Sequence, residues 1–272
     1  MAKFEENPLN PPIEKVLGYY ANINNPKYEL FRSIEKLARE IYIANNPGFS
    51  FPIYNSQIFY AEEGSKNIEQ RVFLNYRWIH ADPLVFDSYK NYLSDENPSE
   101  VVPRFKKSEI AKLMLAKFLV HEFIHAYLSA NLKISFEEDS SKKGVIVSGL
   151  RPGKYKYVFN KGDYVDGEIK ELGFLDLDEA VTEYLAILYV VKFKNIELNK
   201  KVLEMFLQIS SYSQQTIKLF EFINALEDEN KIKFIDSLIE AKKTASIKPI
   251  IEFYKKYLNV RMSAKKLKNL DF

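Results

Sequence analysis

Residues 108 to 128 read Ser108-Glu109-Ile110-Ala111-Lys112-Leu113-Met114-Leu115-Ala116-Lys117-Phe118-Leu119-Val120-His121-Glu122-Phe123-Ile124-His125-Ala126-Tyr127-Leu128, and the pentapeptide His121 to His125 decides how the rest of the chain is read. On a helix, at about 100° per residue, the two histidines stand roughly 40° apart on one face and one turn from each other, so both imidazoles can reach a single metal ion. Glu122 projects from the flank of that face, where a carboxylate can touch an attacking water without ligating the metal.

The flanking residues make this a core helix. Ser108 is placed to cap it, and Ile110, Met114, Phe118, His121, His125 and Leu128 follow at intervals of three or four. Leu115, Leu119, Val120, Phe123, Ile124 and Tyr127 fill much of the remaining circumference, as in a helix packed on nearly all sides. A purely structural alternative is two buried histidines satisfied by hydrogen bonds, with the glutamate in a salt bridge. Burying such groups without partners costs roughly 2–7 kcal/mol each, so a shared partner is needed, and a metal supplies one.

A catalytic zinc takes three protein ligands and leaves a fourth position for water. The chain has no cysteine, which removes thiolate sites and disulfide scaffolds alike. His80 or a carboxylate must therefore complete the set. The metzincin pattern needs glycine and histidine where Leu128 and Asn131 stand, so that class is excluded. Downstream, Leu177-Asp178-Glu179-Ala180-Val181-Thr182-Glu183-Tyr184-Leu185-Ala186 reads as a second helix start with two glutamates four apart on one face.

Together these two segments resemble the gluzincin metallopeptidases of the thermolysin-like kind. In that family the HExxH helix is followed by a helix carrying Asn/Asp-Glu-x-x-Ser/Thr-Asp/Glu, and Asp178-Glu179-Ala180-Val181-Thr182-Glu183 matches position for position. The resemblance implies Glu179 as the third zinc ligand and Glu183 as the acid that accepts the second ring N–H of a ligating histidine, His121. Such outer carboxylates fix the tautomer of a ligand imidazole. Glu179 has a competing reading, because Asp176 three residues before it would form a capping box, and Glu183 has one as a solvated helix residue. Neither accounts for two acids one turn apart beside the apolar Val181, Tyr184, Leu185 and Leu188. The 54-residue spacing from His125 to Glu179 is much longer than in the thermolysin type. Turn signals at Gly144, Gly149, Pro152-Gly153, Gly162 and Gly167, around Val145-Ile146-Val147 and residues 154–160, predict a β-rich insertion there.

At 272 residues, 46% apolar and 14% aromatic, the chain can bury a sizeable core. Residues 1–15 are polar and proline-containing, and no run approaches ~18 uncharged apolar residues, so a soluble, cytoplasmic protein without a transmembrane segment is expected. Pro26 to Asn45 is an amphipathic helix with Leu30, Ile34, Leu37 and Ile41 in register. Phe51 to Glu62 and Arg71 to Asp82 alternate like strands, closed by Pro83, and suit the sheet that zincins lay against the active-site helix. Beyond the second ligand helix, further helices are expected over Asn199–Leu226, Glu229–Lys242 and Pro249–Leu258.

The expected class is α+β and zincin-like: an N-terminal lobe over 1–132 with a small sheet and the HExxH helix, then 133–272 holding the β-rich insertion (133–175), the second ligand helix (176–194) and a helical lobe. The net charge is +2, but residues 241–272 hold nine Lys/Arg against two acids. This basic tail suits an acidic partner, while nucleic acid is not expected, for no Arg-rich or aromatic-interleaved motif accompanies it. His80, two residues after Trp78, reads as a structural histidine. The expected activity is hydrolysis of peptide bonds in a peptide or protein substrate, with one zinc ion per chain held by His121, His125 and Glu179. Glu122 is its general base and Glu183 orients His121. The alternative is a non-catalytic zinc-binding regulatory or interaction protein that retains the helix pair.

Overall fold

The computed structural model describes residues 29–50, 101–128, 174–208, 212–244 and 246–270, the strands named below, and positions 150, 210 and 272. In chain order, α1 (Glu29–Asn45) precedes three short strands, β1 (Gln57–Tyr60), β2 (Phe73–Asn75) and β3 (Trp78–Ala81). Helix α2 (Lys107–Phe123) runs without a break into a single π-helical turn, Ile124–Leu128. Then come β4 (Lys133–Phe136), β5 (Gly144–Ser148), β6 (Arg151–Tyr155), β7 (Val158–Asn160), β8 (Asp163–Val165) and β9 (Ile169–Glu171). The chain continues through α3 (Leu175–Phe193), α4 (Lys200–Leu207), α5 (Ser213–Ala225), α6 (Asp228–Thr244), α7 (Lys248–Tyr257) and α8 (Ala264–Lys268).

The expected α+β, zincin-like class is corrected by this core. Of the residues whose side-chain burial is described, 75% are helical and none lies in a strand. Helix α2 packs principally on α1, where the expectation placed a sheet. The reason lies in length and patterning. The strands are three to five residues long, and their described pairing is with one another: β3 runs parallel to β1 and antiparallel to β2, β4-β5-β6-β9 form an antiparallel set, and β7 pairs with β8. Among the described residues the buried apolar side chains are carried mainly by helices, of which α2 and α3 are hydrophobic around most of their circumference.

The residues fall into two compact units. One comprises 1–126 and 186–206. In it the apolar stripe of α1, Ile34, Ala38, Ile41 and Tyr42, is buried as the heptad spacing requires. Tyr42 meets the ring of Phe123 edge-on at 5.9 Å, and Asn45 Nδ2 donates to the Tyr189 carbonyl at 3.1 Å. Helix α2 starts two residues earlier than a Ser108 cap would require. Lys106 precedes its first turn, and Glu109 Oε2 accepts the Lys106 N–H at 2.8 Å. Helix α3 ends in a Schellman turn: Asn195 sits at φ 51°, and the Ile196 N–H reaches back to the Val191 carbonyl at 2.8 Å. Arg104 covers the carbonyls left over there, donating to Lys194 and Asn195.

The other unit comprises 127–185 and 207–272. Its C-terminal part is built around Phe234, fully buried, with Phe222 at 5.0 Å, Phe253 at 4.9 Å and Tyr254 at 6.1 Å between ring centroids. The expected helix over Asn199–Leu226 is two helices, α4 and α5, separated by residues 208–212. The short α8, capped by Ser263 Oγ accepting from the Lys266 N–H at 3.3 Å, was not expected from the sequence.

Candidate metal centre

Buried polarity in this protein is concentrated on two apolar helices. Lys117, His121 and His125 come from α2 and its π turn, and Asp178, Glu179, Thr182 and Glu183 from α3. Among the described residues, only Thr216 and Lys242 are otherwise buried and polar. Polar and charged groups are brought into such an environment only when their partners come with them.

The two histidines share one face, as their spacing predicts. Their Nε2 atoms are 3.1 Å apart and their rings meet edge-on at 70°. A tetrahedral zinc with ligand bonds of about 2.0–2.1 Å sets its ligand atoms about 3.3 Å apart, so the pair already stands close to the separation required of two ligands on one ion. His125 falls in the π turn, a local widening of the helix that recurs at functional sites. Glu122 is half-buried on the flank between them.

On α3, Glu179 is 6% exposed and Glu183 is 2% exposed, so neither is a solvated surface acid. The capping-box explanation of Glu179 also fails. The Phe174 carbonyl accepts the Asp178 N–H at 2.8 Å, which makes Phe174 the residue that opens the helix and leaves Asp176 already inside it. The ligand atoms that His121, His125 and Glu179 offer all lie within 4.8 Å of one another, and this buried group can hold a metal ion. Two imidazoles and one carboxylate suit a divalent borderline metal.

No family model, curated protein or solved structure matches this chain.

His80 lies in β3, in register with Phe59 and Phe73, and its side chain is outside the described residues. The regions 51–56, 61–72 and 82–100 around the expected strands are likewise outside them. No described helix is long and apolar enough to cross a membrane. Two residues that the sequence reading passed over now stand out. Lys117, completely buried, sits one turn before His121 at the same four-residue interval. Lys242, also completely buried, donates to Asp178 Oδ1 at 2.8 Å and Thr182 Oγ1 at 2.6 Å. The signal was present for both: Leu113-Lys117-His121 and Phe234-Leu238-Lys242 are i, i+4 series in which the lysine takes an apolar position.

Proposed function

We propose that the chain is a zinc-dependent metallopeptidase that hydrolyses peptide bonds. The observation that carries this reading is a buried His-His-Glu group with a half-exposed glutamate directly after the first histidine. A structural metal site has no use for an acid at position 122, whereas hydrolysis requires a proton acceptor beside the ligands. The match of residues 121–125 and 178–183 to the two gluzincin segments supports the same division of roles.

His121, His125 and Glu179 would hold the ion, and their single negative charge leaves the centre with about one unit of positive charge. When bound, zinc supplies Lewis acidity, polarising a peptide carbonyl and acidifying water toward neutral pH. Glu122 accepts the proton of the attacking water and delivers it to the leaving amine. Glu183 accepts the second ring N–H of His121 and holds that imidazole in one tautomer.

The test is Glu122→Gln, which keeps side-chain shape and all three ligands. Hydrolysis of a library of short peptides and unfolded proteins is expected to fall by at least ~10²–10⁴ with zinc content unchanged. Chelation is expected to abolish wild-type turnover and added zinc to restore it. Cleavage by the metal-loaded wild type no faster than by the Gln variant sinks the peptidase reading and leaves a non-catalytic zinc protein.

A further inference from the structure

Helix α3 carries two i, i+4 pairs offset by one residue, and thus by about 100° around the helix axis. One pair is Glu179 and Glu183. The other, Asp178 and Thr182, is gathered onto Lys242 of α6, and Lys242 and Asp178 are both completely buried. Asp178 Oδ1 accepts a second hydrogen bond, from the Leu150 N–H at 2.8 Å, in the turn between β5 and β6. Thr182 Oγ1 in turn donates to the Asp178 carbonyl at 2.6 Å, so hydroxyl, carboxylate and ammonium form one connected network.

We propose that Lys242 is a positioning residue for the metal centre: by holding Asp178 and Thr182 it fixes the rotation of α3 about its axis, and so the direction in which Glu179 leaves the helix. This rests on Glu179 being a metal ligand. A helix held only by apolar contacts can rotate by several degrees at little cost, because dispersion and burial are not directional. Charge-assisted hydrogen bonds to two residues one turn apart are directional. The adjoining Glu179 moves with the Asp178 backbone, so an anchor on one stripe sets the orientation of the other. The buried ion pair is thereby explained by what it aligns, since exchanging such a pair for apolar groups of similar volume often leaves stability unharmed.

The test compares wild type with the double variant Asp178→Asn/Lys242→Met, which removes both buried charges together, and with Thr182→Val, which takes away the second acceptor while keeping side-chain shape. Zn²⁺ affinity is measured by competition with a chromophoric chelator, and ligand geometry by the visible absorption of the Co²⁺-loaded protein. Circular dichroism confirms folding. The expected result is a ten- to hundredfold loss of Zn²⁺ affinity in the double variant, a smaller loss in Thr182→Val, and altered Co²⁺ bands in both. Lys243→Met, exposed on the same helix, is expected to match wild type. Unchanged affinity and Co²⁺ bands in a folded double variant overturn the positioning role while leaving the metal centre standing; if the double variant does not fold, unchanged values in Thr182→Val do so. A wild type that binds no Zn²⁺ removes the metal reading and the positioning role together.

Discussion

A carboxylate that ligates a metal and one that orients a ligand differ in what their removal does. His121→Ala, His125→Ala and Glu179→Ala each delete a donor from a three-donor group, and each is expected to reduce zinc from near one equivalent to a small fraction, read by elemental analysis after desalting. In the proposed division of roles Glu183→Ala would delete an acceptor behind the ligand, and its expected loss is ten- to a hundredfold in affinity with stoichiometry recoverable at higher zinc. Equal, complete loss in the Glu179 and Glu183 variants contradicts this division of roles. If Glu179→Ala retains zinc and His80→Ala loses it, the third ligand is misassigned. At this scale the histidine pair was legible because helical spacing alone puts residues four apart on one face. Lys242 was not read, since its acceptors lie 64 and 60 residues away in sequence.

At the scale of elements, the helix bearing the histidines is held by packing. Phe123, between Glu122 and His125, is fully buried, meets Tyr42 edge-on and has the Arg39 guanidinium 5.7 Å from its ring centroid. Phe123→Ala is expected to cost about 3–5 kcal/mol in urea unfolding, through lost burial and the cavity left behind. A cost below ~1 kcal/mol would mean that α1 and α2 do not share a tight core. The amphipathic helix at Pro26–Asn45 was predicted and is seen as α1 from Glu29 onward, with Pro26 outside the described residues. Alternation at 51–62 and 71–82 also fell on segments that contain β1, β2 and β3. Those strands do not define the class: a three- or four-residue strand pairs its backbone locally, and among the described residues helices of seventeen to nineteen residues carry most of the buried side chains.

For the whole molecule, buried tyrosines set an alkaline limit. Burial pushes the Tyr184 hydroxyl up to about 12, and it also raises Tyr254 and Tyr189, the latter against a hydrogen bond to Asn46 that acts in the opposite sense. A folded pKa above the unfolded value of about 10 means that the native state holds these protons more tightly. Their contribution is intact below pH ~10 and is lost as the pH rises toward 12. Thermal melts between pH 9 and 12 are expected to show stability falling over that window, with a shallower fall in Tyr184→Phe; a flat profile to pH 12 contradicts the burial. The Tyr254 hydroxyl is buried without a hydrogen-bond partner. Tyr254→Phe is therefore expected to be neutral or to stabilise by about 1 kcal/mol near neutral pH, measured by urea unfolding, while a clear loss would reveal a partner for that oxygen.

Local physics allowed the sequence by itself to determine the two long apolar helices, the shared face of His121 and His125, and the shared face of Glu179 and Glu183, because each depends on periodicity within about two turns; the roles of the two glutamates rest on the resemblance to the gluzincin segments. Only the tertiary structure decided that Glu179 comes within 4.8 Å of the histidine donors, that Asp176 does not cap its helix, that α1 rather than a sheet packs on α2, and that Lys242 closes a buried network on Asp178 and Thr182. Those outcomes depend on contacts between residues far apart in the chain. Hydrophobic burial drives the helices together without prescribing their partners or rotation, and the directional hydrogen bonds of a few buried charges supply what periodicity leaves open.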